Sequence, residues 1–244
     1  MTGIETYDYP HVDSVVVCGD IHGEFEQLIH TCCVKYGLRD TLVVVAGDCG
    51  FGFRGIPYYL NLLYGRHYDR LERSNVYLAF VRGNHDDPSY FRDKLMSDER
   101  FRAVEDYSVL TACGHRILCV GGAVSIDRAL RSAGQDWWTG EVPVFLAEAV
   151  DSLAVNNIYI DTVVTHTAPS FCEFTVPSGH VYGEDLLSDM KLERSVMDVL
   201  LECLRHDGHP LRRWYYGHFH HSWNADIGGV RYTMLDIMEM KEIV

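Results

Sequence analysis

The chain has 244 residues, 47% of them apolar and 12% aromatic, which is enough to build a core and argues against disorder. A formal net charge of −14 weighs against a general nucleic-acid binder, which carries a basic patch or stripe. It leaves a phosphorylated substrate open, because bound divalent ions make a site locally positive whatever the overall balance.

The eight cysteines form no C-x-x-C pair, and several sit in apolar runs, so they read as buried reduced thiols. No apolar run approaches the roughly 18 residues of a bilayer span, and the N-terminus lacks the pattern of a signal peptide. A soluble protein of a reducing compartment, the cytoplasm, is the expectation. Without repeats, low-complexity tracts or linkers, a single domain over 1–244 is the simplest organisation.

In chain order, Ser14–Cys18 reads as a strand ending in Gly-Asp, and Glu24–Tyr36 as a helix with apolar residues at helical spacing. Leu42–Ala46 is a second strand ending in Gly-Asp. Ile56–Arg73 is predicted helical, and Val76–Val81 is a third strand, ending in Arg82-Gly83-Asn84-His85. Tyr107–Cys113 and Arg116–Val120 form a strand pair, followed by a mostly irregular stretch over Gly121–Pro143. Val144–Leu153 is predicted helical, Thr162–Thr165 a strand, and Glu184–His206 the longest helix. Leu211–Tyr216, Trp223–Ile227 and Val230–Leu235 close the chain as strands, with Gly228-Gly229 as a hairpin turn. Apolar strands alternating with helices predict an α/β fold with a parallel sheet.

Polar residues suited to metals repeatedly follow the C-terminal ends of these strands, where ligands bind in open α/β sheets. Gly19-Asp20-Ile21-His22-Gly23 can turn a carboxylate and an imidazole toward one ion, a pair that suits Mn, Fe or Zn better than Ca. Gly47-Asp48 supplies a carboxylate whose two oxygens can bridge two cations. In Gly83-Asn84-His85-Asp86, Asn84 offers a neutral carbonyl oxygen, while His85 projects differently and suits a proton donor. His166 follows a strand, and the alternating histidines of Gly217-His218-Phe219-His220 can serve two adjacent ions; His221 is read as a surface residue or one just behind the ligands. Alone, the first two blocks and His166 have ordinary structural explanations as turns or a packed histidine, whereas Gly-Asn-His-Asp and Gly-His-x-His are more specific. The order and joint presence of all five decide the matter.

The set resembles the calcineurin-like metallophosphoesterase superfamily, whose pattern runs D-x-H, G-D, G-N-H-[DE], H and G-H-x-H, and every element occurs here in order from Asp20 to His220. The resemblance implies two facing mixed β-sheets flanked by helices. It implies that Asp20, His22 and His220 bind one divalent metal ion, that Asn84, His166 and His218 bind the other, and that Asp48 bridges them. It further implies a metal-bridging hydroxide as nucleophile and His85 as general acid in phosphate-ester hydrolysis. Mn²⁺ is the foremost candidate ion, with Fe, Zn, Co and Ni also compatible with such ligands.

The phosphoprotein phosphatase branch carries a longer second motif, G-D-x-x-D-R-G, and this chain has Phe51 and Gly52 where that branch has Asp and Arg. A phosphorylated small molecule or a nucleotide is therefore favoured over a serine/threonine phosphoprotein, and a non-catalytic scaffold is the rival class. Arg54, Arg128 and Arg131 are candidate phosphate contacts. Trp137 and Trp138 offer either a stacking face for a base or a simple aromatic anchor for their loop.

Overall fold

The structure is a computed structural model that describes residues 4–174 and 184–244. Its strands are β1 (Thr6–Asp8), β2 (Ser14–Cys18), β3 (Thr41–Val45), β4 (Val76–Phe80), β5 (Phe101–Ala103), β6 (Ser108–Ala112), β7 (His115–Val120), β8 (Thr162–Thr165), β9 (Arg213–Tyr216), β10 (Trp223–Ile227), β11 (Val230–Met234) and β12 (Met240–Glu242). Among the described residues they form two mixed sheets. One has the order β1-β6-β7-β8-β9-β11-β10, the other β12-β2-β3-β4-β5.

The apolar runs explain the layering. On β2 and β3, Val16, Cys18, Val43 and Val45 face one side, and Val15, Val17, Leu42 and Val44 the other. Both faces are buried, so these strands read as continuous apolar runs rather than alternating ones. The second set meets Ile117, Cys119, Val164 and Tyr215 of the larger sheet in a core between the sheets. Helices cover the outer faces. Helix α1 (Phe25–His30, continued by a π-helical turn over Thr31–Lys35), α2 (Ile56–Tyr64), α3 (Arg66–Ser74) and the short α4 (Ser89–Arg92) cover the five-stranded sheet, while α5 (Ala147–Val155) and α6 (Glu184–His206) cover the seven-stranded one. The result is the expected sandwich of two mixed sheets between helices.

Several boundaries differ from the sequence reading for local reasons. The helix expected over Ile56–Arg73 is two helices, broken at Gly65, whose backbone is extended. The helix expected from Val144 begins only at Ala147. The Tyr107 hydroxyl donates to the Val144 carbonyl (2.9 Å) and accepts from the Leu146 amide (3.1 Å), which holds that stretch out of the helix. The three-residue strands β1, β5 and β12 are too short to show a period.

All eight cysteines are free thiols, five of them buried. Among the described residues no helix is long and apolar enough to cross a membrane.

Candidate metal centre

The parallel strands of both sheets end at one edge, and the loops leaving them carry the motifs. Asp20 and His22 follow β2, Asp48 follows β3, Asn84 and His85 follow β4, His166 follows β8, and His218 and His220 follow β9. The loops are tight. His22, Asp48, His218 and His220 all have left-handed backbones, with φ between 44° and 71°. Non-glycine residues in that region cost about 1–3 kcal/mol each and persist only where surrounding bonds fix them. Here the His22 amide donates to the Asp48 carbonyl (2.8 Å), and the His218 amide donates to the Asp20 carboxylate (3.0 Å). Two glycines allow the close approach: a Cβ on Gly47 would lie 2.2 Å from His166 Nδ1, and one on Gly83 would lie 2.0 Å from the Asp48 amide nitrogen.

The side chains gather in two clusters that share one residue. Ligand atoms of Asp20, His22, Asp48 and His220 lie within 4.8 Å of one another, as do those of Asp48, His166 and His218. Asn84 Oδ1 joins the second cluster, 3.0 Å from His166 Nε2. Asp20, Asp48, Asn84, His166 and His218 are buried; His220 is the exposed member, and His22 is partly exposed.

The donor set fits cations. His166 Nδ1 lies 2.7 Å from the Ala46 carbonyl, which can only accept, so Nδ1 carries a proton and Nε2 points into the cluster. That Nε2 faces two oxygens, Asn84 Oδ1 and Asp48 Oδ1 (3.2 Å), an arrangement that calls for a proton or a metal ion between them. Burial opposes a charge on His166, but the Asp48 carboxylate outweighs it and pushes the imidazole up to about 10. Burial also tends to raise Asp48, yet His166 and His85 hold it well below the usual carboxylate range. His218 is kept neutral by burial and by the neighbouring His166, and its Nε2 is buried without a hydrogen-bond partner. A buried imidazole nitrogen with no hydrogen-bond partner, in a cluster that shares a carboxylate, has the chemistry of a metal ligand atom.

His85 lies beside the clusters. Its Nε2 is 3.9 Å from Asp48 Oδ2 and 3.3 Å from Arg131 Nη2, and its Nδ1 is 3.4 Å from the Asp136 carbonyl. Of the three candidate arginines, only Arg131 comes this close to His85, braced by Asp127 (2.8 Å). Arg128 pairs with Asp189 of α6 (2.7 Å), and Arg54 is exposed over the Tyr58 ring. Trp138 stacks on Phe53 at 6.4 Å and would touch any side chain added at Gly52, so it anchors its loop to the second motif.

Two residues of the third motif do work that sequence reasoning did not assign. Asp86 accepts four backbone amides, from Gly50 (2.7 Å), Phe51 (2.8 Å), Gly83 (2.8 Å) and Cys49 (3.0 Å), and so ties the second loop to the third. Buried Arg82 donates to the carbonyls of Gly140 and Glu141, which fastens the far end of the Gly121–Pro143 loop to the segment leaving β4, and pairs with Asp106. The signal for Asp86 was its place in the G-N-H-D pattern; Arg82 stood out only as the first residue of Arg82-Gly83-Asn84-His85. Phe51 explains the departure from the phosphoprotein phosphatase pattern. Its ring is fully buried among Phe25, Tyr59, Phe80, Tyr90 and Phe91, on the helix side of the sheet rather than in the site.

The family described as calcineurin-like phosphoesterase matches residues 14–222. Among solved structures, the chain resembles a phosphopantetheinyl hydrolase from Mycobacterium tuberculosis with a TM-score of 0.51 at 17% identity, covering 100% of this chain and 97% of that one. It also resembles a dimetal phosphatase from Danio rerio with a TM-score of 0.57 at 12% identity, covering 93% and 88%. At these identities the likeness is one of fold. No curated protein sequence matches the chain.

Proposed function

Because this chain belongs to the calcineurin-like phosphoesterase family, and is with it a metal-dependent phosphoester hydrolase, we propose that it cleaves a phosphate monoester or diester of a small molecule or nucleotide. The observation that carries this reading is the pair of ligand clusters sharing the buried Asp48, with His85 beside them. In this reading Asp20, His22 and His220 hold one divalent ion, Asn84, His166 and His218 hold the other, and Asp48 holds both. Mn²⁺ is the favoured ion, since the mixed N/O set suits a borderline transition metal. When bound, two such ions supply Lewis-acid polarisation of the phosphoryl group and activation of a water nucleophile.

The protein's own groups supply the rest. The Asp136 carbonyl accepts from His85 Nδ1, which leaves Nε2 facing the site, where it accepts from Arg131 Nη2 (3.3 Å); a proton taken up at Nε2 becomes the transferable one once Arg131 turns to a bound phosphate. From there His85 protonates the leaving oxygen. Asp48 and Asp127 lie 3.9 and 4.0 Å from Nε2. Arg131 is the favoured phosphate contact, since its guanidinium is braced by carboxylates and adjoins His85. The burial of Phe51 supports a small-molecule or nucleotide substrate over a phosphoprotein.

The test is to strip metal, restore Mn²⁺, and compare hydrolysis of p-nitrophenyl phosphate with that of its bis ester. Metal-restored turnover that disappears in His85→Ala supports the enzyme, and the preferred ester assigns the class. No turnover of these esters or of nucleotides, with both ions bound, would favour the non-catalytic scaffold.

A further inference from the structure

A side-chain amide can offer a cation only its oxygen. The two ends of the Asn84 amide have nearly the same shape, so which end faces the clusters is decided by hydrogen bonding. Asn84 is 1% exposed, and its Nδ2 donates to Ser125 Oγ at 3.0 Å. The Ser125 hydroxyl lies against Glu141 Oε2, and the Ser125 amide donates to Glu141 Oε1 (3.2 Å). All three residues are buried. A carboxylate only accepts, so the hydroxyl must donate to Glu141 and keep its lone pairs for Asn84. The polarity therefore runs one way along the chain, from Asn84 through Ser125 to Glu141. Glu141 is itself held: its carbonyl accepts from Arg82 Nη1 (2.9 Å) and from the Ala123 amide (3.1 Å).

We propose that Ser125 and Glu141 are positioning residues that fix the Asn84 amide with its oxygen toward the second metal ion. This assigns a task to the Gly121–Pro143 loop, which contributes none of the seven proposed ligands. The inference rests on the proposed role of Asn84 as a ligand.

The polarity makes an unusual demand on an isosteric change. In Glu141→Gln, the new amide keeps its oxygen on the Ser125 N–H and turns its NH₂ toward Ser125 Oγ. The hydroxyl then accepts from Gln and must donate toward Asn84, which favours the amide turned the wrong way. Changes behind a metal ligand typically weaken binding about 10–100-fold, and a loss of that size is expected here for the second ion alone. Replacing Asn84 by Asp puts an oxygen at both ends, so the double variant Asn84→Asp/Glu141→Gln should recover the second ion relative to Glu141→Gln.

The measurement is Mn²⁺ titration of metal-free protein followed by electron paramagnetic resonance, which separates isolated Mn²⁺ from an exchange-coupled pair. The proposal expects the coupled signal in the parent, its loss at matched Mn²⁺ in Glu141→Gln, and its return in the double variant. Should Glu141→Gln fail to fold, Ser125→Ala, which removes the acceptor, decides the matter by the same loss. A coupled pair formed in Glu141→Gln at parental Mn²⁺ concentrations, or a double variant no better than Glu141→Gln, overturns the proposal. Asn84→Ala separates it from its premise: parental binding there would overturn the ligand assignment itself, whereas weakened binding there with intact binding in Glu141→Gln would overturn only the positioning role.

Discussion

Changing Phe51 to Asp would restore the acidic residue found at this position in phosphoprotein phosphatases, and it should unfold the protein rather than convert its activity. The Phe51 ring is fully buried, with five rings at centroid distances of 5.0–5.5 Å. Truncating such a ring to alanine costs about 3–5 kcal/mol. Aspartate at the same place adds the desolvation of a charge among aromatic rings, several kcal/mol more. The combined cost is comparable to the entire stability of a typical domain, about 5–15 kcal/mol. Phe51→Ala should stay folded, because the Phe51 amide remains bonded to Asp86 (2.8 Å) and its carbonyl to the Asp87 amide (2.8 Å), but it should melt about 6–20 °C lower. Thermal unfolding of the metal-free protein, followed by circular dichroism, tests both variants. If Phe51→Asp folded cooperatively within about 5 °C of the parent, the packing argument would fail, and with it the physical reason for separating this chain from the phosphoprotein branch.

Three further outcomes follow from the same geometry. His85→Ala should lower kcat about 10²–10⁴-fold on a poor leaving group while metal content stays at the parental level; unchanged turnover would remove His85 from the mechanism. Asp48→Asn should lose both ions, because Asp48 is the residue common to the two clusters, and full occupancy by elemental analysis would defeat the bridging assignment. Glu193 accepts the Val124 amide and the Thr167 hydroxyl from α6, and burial pushes its carboxyl up to about 7. The folded state therefore holds that proton more tightly than the unfolded chain does, and stability should fall by about 3 kcal/mol as pH rises from about 4.5 to about 7. Urea unfolding of metal-free protein at pH 5 and pH 8 should show a larger loss in the parent than in Glu193→Gln, which keeps the contribution of buried Asp86, itself raised to about 6; equal losses in both would exclude Glu193 as a source.

The proposed ligands could be picked out in the sequence because each sits a few residues beyond a recognisable apolar strand. Asp20 comes two residues after β2 and Asp48 three after β3, and glycine marks the turn each time. What supports them could not be read that way. Ser125 and Glu141 stand 16 positions apart along a mostly irregular stretch, and Arg82 finds its carbonyl partners at Gly140 and Glu141 only when the Gly121–Pro143 loop has folded. Tyr107 likewise delays α5 through bonds to residues nearly 40 positions away. Such pairings carry no period and no local propensity, so they belong to tertiary structure alone. The departure at Phe51 was visible as a mismatch, but its cause, an aromatic cluster assembled from α1, α2, α4 and β4, was not.

The division of the ligands between the sheets has a consequence for when metal can be acquired. Asp20, His22, Asp48 and Asn84 leave the five-stranded sheet, whereas His166, His218 and His220 leave the seven-stranded one. Each cluster draws on both, so one is incomplete until the ribosome has passed His218 and the other until it has passed His220, and both need the two sheets to close on each other. On the proposed assignment, a chain that stops short of His218 would offer Asp20, His22, Asp48 and Asn84 without the imidazoles of the other sheet, and would hold ions weakly. Metal capture would then be a late event in the life of the polypeptide, and bound ions would tie one sheet to the other across their seam.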